Sequence, residues 1–343
     1  MLLLLIIGLA FLAALLTTAY LTRPDAVLRL VGMPNERSLH DKPTPHTGGI
    51  GILIGTLVSG MLCSLIYVLP NGFHWLLLGA GLVALISLID DIRPVPPLYR
   101  LILHILAAWL LLSPGGFLPV SLVLPGTEWL WPELLALLLC LGFVIWMLNL
   151  YNFMDGMDGF SGGMAVFGFA GYALLGWLAD APLFTALNLC IVLASLGFLA
   201  FNFPPARIFM GDAGASTLGF LAAAFALWAE RDGIMPLWAA ALIFSPFIAD
   251  ATFTLLRRLL KGEKVWQAHK THCYQRLVEL GWGHRKTVLW EYAVMLAAAC
   301  SGVMTVFLPI WAQWFVLIGW LTVYISLIQL VKWLENSPIS ATD

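Results

Sequence analysis

An all-α integral membrane protein of about eleven transmembrane helices, working from its inner face, is the fold class that the sequence predicts. Three observations lead to it. Hydrophobic residues make up 61% of the 343, charged residues only 10%, and the mean hydropathy is +0.93. Soluble chains carry about 25% charged residues, so this chain has too little polar surface to face water and lipid must be its solvent. Second, apolar runs of about 20 residues, enough to cross roughly 30 Å of hydrocarbon, recur near 1–22, 48–69, 75–91, 98–114, 133–151, 160–179, 184–202, 214–230, 237–257, 287–308 and 311–332. Third, if the N-terminus lies outside, every Lys and Arg except Arg231 falls on an inner segment, as the retention of positive charge on the inner side requires. An odd number of spans then leaves the C-terminus inside.

The first apolar run lacks a charged leading segment and a small-residue cleavage site, so it is expected to be a retained span rather than a signal peptide. Outer connections are very short, apart from one near 115–132, and none is equipped for chemistry. The inner connections, about 23–47, 91–98, 152–160, 203–213 and 257–286, hold almost every unusual polar residue, and 1–343 reads as a single polytopic domain. A net charge of −2 argues against a nucleic-acid footprint, which needs clustered basic surface. Five cysteines offer no disulfide pattern; Cys63, Cys140, Cys190 and Cys300 sit in apolar runs, and Cys273 in a basic loop.

Along the chain, the stretch Pro34 to Gly49 is the first to carry chemistry. Its Arg37, His40, Lys42 and His46 could meet a lipid phosphate at the membrane surface, or form a plain basic loop beside the bilayer. The third span ends in Asp90-Asp91, with Pro94, Pro96 and Pro97 closing the helix. Two adjacent carboxylates there could hold a divalent cation, orient a basic partner, act as a base, or pair with Arg93 or Arg100 as a solvated helix end.

More specific is Asn152-Phe153-Met154-Asp155-Gly156-Met157-Asp158-Gly159. Asn152, Asp155 and Asp158 recur at a spacing of three, which on a helix brings their oxygens to one side. Hard oxygen ligands suit Mg²⁺, which keeps water and takes one or two protein oxygens plus substrate phosphates. A polar turn is the competing reading; a calcium loop is excluded by ligand spacing and the missing terminal Glu. Met210-Gly211-Asp212-Ala213-Gly214 then opens the eighth span. A helix start favours an anion such as a pyrophosphate, and Asp212 there could be a further oxygen ligand or an ordinary N-cap.

Asp250 lies seven residues before Arg257, nearly on the same helix face, as an ion pair within the span or a site residue. The last inner loop contains His269, His272, Cys273 and Arg276 among several lysines. Zinc is disfavoured because no second pair closes a tetrahedral site; donors to a diphosphate account better for His, Lys and Arg in one stretch.

Taken in order, RSLHDKPTPHTGG, the Asp90-Asp91 pair, NFMDGMDG, FMGDAGAS and the His-containing last loop resemble the polyprenyl-phosphate N-acetylhexosamine-1-phosphate transferases, undecaprenyl-phosphate GlcNAc-1-phosphate transferases and initiating enzymes of lipopolysaccharide O-antigen synthesis among them. The likeness spans about 34–290. It implies a bacterial inner-membrane enzyme with a periplasmic N-terminus and a cytoplasmic C-terminus and site. Its donor would be a UDP-N-acetyl-hexosamine, its acceptor undecaprenyl phosphate, its cofactor Mg²⁺ (with Mn²⁺ as a candidate substitute), and its product a polyprenyl-diphosphate sugar formed as UMP leaves. The resemblance further implies Asn152 and Asp212 as metal ligands and Asp90 and Asp91 serving the acceptor phosphate. Asp155 and Asp158 would line the nucleotide-sugar site, and His269, His272 and Arg276 would contact the diphosphate or sugar. Arg37, His40, Lys42 and Asp250 complete the substrate-binding set. The last loop reads HKTHCYQR instead of the three consecutive histidines of the muramoyl-pentapeptide cousins, which points to a simpler N-acetyl sugar. A homodimer stays open. The rival classes are a membrane transporter, which would place its carboxylates near mid-bilayer between inverted repeats, and a lipid-phosphate phosphatase, with water as the nucleophile.

Overall fold

The computed structural model describes residues 2–32, 39, 42–264 and 269–337. Arg37 and His40, expected at the acceptor site, lie outside the described residues. The chain runs through α1 (Leu2–Leu21), α2 (Gly49–Ser64), α3 (Phe73–Ile92), α4 (Pro97–Leu112), α5 (Glu133–Phe153), α6 (Phe160–Leu178) and α7 (Pro182–Asn202). It continues through α8 (Asp212–Arg231), α9 (Leu237–Ile243), α10 (Ser245–Leu260), α11 (Cys273–Leu277), α12 (Gly283–Thr305) and α13 (Ile310–Asn336). Each predicted apolar run coincides with a helix or, at 237–257, with the pair α9 and α10, bent by 81°.

Among the described residues, eight helical stretches are long and apolar enough to cross a membrane, or nine if the bent pair counts as one span. The protein is therefore a multi-pass membrane protein. The expected eleven is reached only if α2 and α4 cross too, and at 16 residues each they measure about 24 Å against roughly 30 Å of hydrocarbon. Proline limits α4, because Pro96 and Pro97 set its start.

Two features were not anticipated. A hairpin of β3 (Ser121–Leu124) and β4 (Thr127–Leu130) fills the longer outer connection. Its Val123 N–H is held at 2.8 Å by Glu230, at the far end of α8. On the inner side β1 (Val31–Gly32) pairs with β2 (Thr44–Pro45). The last inner loop is also shorter than 257–286: α10 continues to Leu260, and helical structure resumes at Cys273 through α11 and a π turn, Val278–Trp282.

The core is built around α8, in which every residue from Ala213 to Glu230 is buried. Alanine and glycine dominate it, and small residues let neighbouring backbones approach closely. α8 packs against α5, α3 and α2, and it meets α2 so tightly that a β-carbon on Gly214 would run into the Gly49 Cα. With α8 central, the inner ends of α3 and α5 lie beside its start.

Candidate active site

Asp90 and Asp91 end α3 and diverge. Asp90 accepts the Val95 N–H at 2.7 Å, which stops the helix, and binds the Arg100 guanidinium from α4. Arg100 also lies 3.4 Å from Asp212. Asp91 turns to the start of α8, where its two oxygens accept the N–H groups of Asp212 and Ala213, each at 3.0 Å. The N-cap of α8 is thus supplied by a different helix. This removes the N-cap reading of Asp212 and leaves its carboxylate facing the cluster, 37% exposed.

Asn152, one residue before the end of α5, stands beside the Asp212 carboxylate and donates its amide to Ser216 at 3.4 Å. Asp155 lies in the following turn. Burial, followed by the negative charges of Asp212 and Asp91, pushes its carboxyl up to about 7, against hydrogen bonds from Ser161 and the Gly211 N–H. Asp90, Asp91, Asp155 and Asp212 therefore share one neighbourhood, and among the described residues Arg100 is the cation paired with them. Such a surplus of negative charge suits a divalent cation. No group of three or more His, Cys, Asp or Glu among the described residues could cage an ion. The donor set fits Mg²⁺, which needs only one or two protein oxygens when phosphates and water complete its shell, and Asn152 and Asp212, side by side, could hold it.

Asp158 is directed elsewhere. Its Oδ2 accepts the Ala206 N–H at 2.9 Å and its Oδ1 lies 3.2 Å from His284 Nδ1. His284, which the motifs did not single out, also reaches the Leu39 carbonyl at 3.1 Å. Asp158 and His284 thereby join the 152–160 turn, the loop before α8 and the 23–47 segment. Asn202 contributes to the same junction by accepting the Gly159 N–H at 2.9 Å and donating to the Ile208 carbonyl at 2.8 Å.

The 44–49 segment, from β2 to the first residue of α2, is laid along the loop that precedes α8. Phe209 N–H donates to the Pro45 carbonyl at 2.7 Å, and the N–H groups of Gly48 and Gly49 donate to Phe209 and Met210, each at 2.8 Å. His46 reaches the Asp91 carbonyl at 3.4 Å. Lys42 is exposed at the entrance of this segment.

Asp250 does not pair with Arg257. Its Oδ1 accepts from Thr254 and the Cys273 N–H, both at 3.0 Å, and its Oδ2 from the Tyr274 N–H at 3.3 Å; Oδ1 also lies 3.4 Å from His272 Nδ1. It fixes the start of α11 and the imidazole of His272, which stacks on Tyr274. His269 packs against the His272 ring at 4.8 Å; burial, with the charges of His272 and Arg258, pushes it down to about 4, so it is neutral at pH 7. Tyr274 donates to the Phe153 carbonyl at 3.3 Å and joins α11 to the 152–160 turn. Arg276 is not part of the carboxylate cluster; it forms a two-pronged ion pair with Glu335 of α13. No zinc site forms from His269, His272 and Cys273 among the described residues.

Residues 73–230 match the model of glycosyl transferase family 4. A probable undecaprenyl-phosphate N-acetylglucosaminyl 1-phosphate transferase of Bacillus subtilis is 28% identical over 95% of this chain and 92% of its own. A decaprenyl-phosphate N-acetylglucosaminephosphotransferase of Mycobacterium tuberculosis is 30% identical over 86% of this chain and 82% of its own. A phospho-N-acetylmuramoyl-pentapeptide-transferase of Geobacillus sp. is 26% identical over 78% of this chain and 84% of its own.

Proposed function

The chain belongs to glycosyl transferase family 4, with the polyprenyl-phosphate N-acetylglucosamine-1-phosphate transferases, and from that premise we propose that it moves an N-acetyl-hexosamine-1-phosphate from a UDP-sugar to undecaprenyl phosphate. UMP leaves, and the polyprenyl-diphosphate sugar starts a cell-surface glycan of the O-antigen kind. The observation that carries this reading is the convergence of Asp90, Asp91, Asp155, Asp212 and Asn152 at adjoining helix ends, with Arg100 paired to Asp90 and Asp212. Its expected place is the cytoplasmic face of a bacterial inner membrane, with α2 and α4 crossing to complete eleven spans.

A lipid phosphate has a second pKa near 6, so most of it is dianionic at neutral pH. One of its oxygens attacks the sugar-bound phosphorus of the donor, the bond from that phosphorus to the UMP oxygen breaks, and the electron pair leaves with UMP. No strong base is required; the barrier lies in bringing anions together and holding them in line. Mg²⁺, held by Asn152 and Asp212, or Mn²⁺ in its place, would neutralise the phosphates and orient them. Lys42, with Arg37 and His40 of the same motif, would meet the acceptor phosphate, and Arg100 adds positive charge beside Asp90 and Asp212. Asp90 holds Arg100, and Asp91 holds the start of α8. His269 and His272 face the donor as neutral and Asp250-supported imidazoles, while Asp155 and Asp158 shape the turn on which it rests.

The test is UMP release by purified protein given undecaprenyl phosphate and a panel of UDP-N-acetyl-hexosamines, with Mg²⁺ or with a chelator. Release should require both the lipid phosphate and the metal. Asp212→Ala and Asn152→Ala should each lower turnover by at least about 10²-fold while the protein stays folded. Near-normal turnover of either variant at limiting Mg²⁺ would refute the ligand assignment.

A further inference from the structure

The last helix, α13, is the least integrated part of the bundle. Of its residues only Val331 is buried. An apolar cavity of about 260 Å³ separates it from α10 and α12, lined by Ala249, Leu277, Trp290, Val294, Leu327 and Val331 among others. A helix so loosely packed is placed by its polar ties. At its outer end Trp314 donates to the Pro125 carbonyl at 3.2 Å. Midway, the Tyr324 and Ser245 hydroxyls lie 2.6 Å apart. At its inner end both Glu335 oxygens engage Arg276, fork to fork, the arrangement in which Arg and carboxylate bind best and with most directional demand.

Arg276 belongs to α11, five residues long, which runs on through the π turn to α12, with a break in helical geometry at Gly281. The start of α11 is held by Asp250, which accepts the N–H groups of Cys273 and Tyr274. Tyr274 and Gln275 precede Arg276 on the helix, and the Tyr274 hydroxyl reaches the end of α5 at Phe153. At 100° per residue, Arg276 projects roughly opposite Tyr274, toward α13. α11 is thus gripped between the 152–160 turn and the end of the last helix.

We propose that Glu335 and Arg276 are positioning residues for the donor site. Through this pair α13 holds α11, and with it His269 and His272, against the turn bearing Asp155. The proposal rests on the donor reading given above and revises it in one respect: Arg276 acts on the loop and does not contact the diphosphate.

The experiment titrates the UDP-sugar at saturating undecaprenyl phosphate in full-length wild type, Glu335→Gln, Arg276→Glu and the double variant Arg276→Glu/Glu335→Arg. Each single variant should raise the donor KM about tenfold with kcat changed less than about threefold, and the charge swap should bring KM back within about threefold of wild type. Alkylation of the half-buried Cys273, located by peptide mass spectrometry on the same samples, should quicken in the single variants and return to the wild-type rate in the swap. An unchanged KM in Glu335→Gln overturns the proposal. A swap that restores Cys273 protection but keeps the raised KM also overturns it, by placing Arg276 on the substrate. If the wild type releases no UMP from any UDP-sugar while Cys273 protection still follows the pair, the donor reading falls and the tie itself is upheld.

Discussion

Asp90 and Asp91 are neighbours in sequence and equal in chemistry, yet one restrains an arginine and the other caps a helix 121 residues further on. Their roles part because successive residues on a helix point about 100° apart, so one faces α4 and the other α8. His269 offers a similar lesson in how surroundings set a side chain's chemistry. Burial beside His272 and Arg258 pushes it down to about 4, so it works as a neutral hydrogen-bonding group and does not titrate between pH 6 and 8. Its contribution to stability follows the same sign: the unfolded chain takes up the proton first, so stability falls as pH drops from about 6.5 toward 4. The expected outcome for His269→Asn is a lower kcat/KM with a pH profile of unchanged shape between pH 6 and 8. Loss of a titrating limb in that window would show that His269 is protonated during turnover.

The start of α8 depends on its neighbours as much as on its own residues. Gly211, just before it, has φ +78° and ψ 167°, a region open essentially to glycine alone. A β-carbon there would run into the His46 carbonyl, where the 44–49 segment is bonded to the loop. Gly211→Ala should therefore cost about 1–3 kcal/mol in backbone strain and displace the 44–49 segment from the start of α8. A lower melting temperature in detergent together with a sharp fall in UMP release is expected. A variant as stable and active as wild type would show that the segment and the helix start move independently.

Across the whole bundle, α8 is the reference against which the other helices are placed. Its two ends are held by carboxylates of opposite duty: Asp91 caps its inner start, while Glu230 at its outer end binds Val123 of the hairpin and the Leu237 N–H that opens α9. The distribution of positive charge predicts that the inner side is cytoplasmic. A single cysteine introduced at Gly126, in the β3–β4 turn, should be labelled by a membrane-impermeant maleimide in intact cells. One introduced at Lys261, after α10, should be labelled only after permeabilisation. The reverse pattern would invert the topology and put the carboxylate cluster on the wrong face for a nucleotide sugar.

Composition and apolar run length were enough to read the membrane-spanning class and nearly every helix, because those properties add up along the chain without reference to distant partners. The ordered motifs likewise marked Asp90, Asp91, Asn152, Asp155 and Asp212, which the folded chain gathers. Which oxygen meets which donor was not readable. That Asp91 caps α8, that Asp158 serves His284 and Ala206, that Asp250 supports α11 in place of Arg257, and that Glu335 claims Arg276 all depend on pairings between segments far apart in the chain. The direction and depth of a polar side chain in a bundle are set by how the helices cross, and linear spacing carries no record of that geometry.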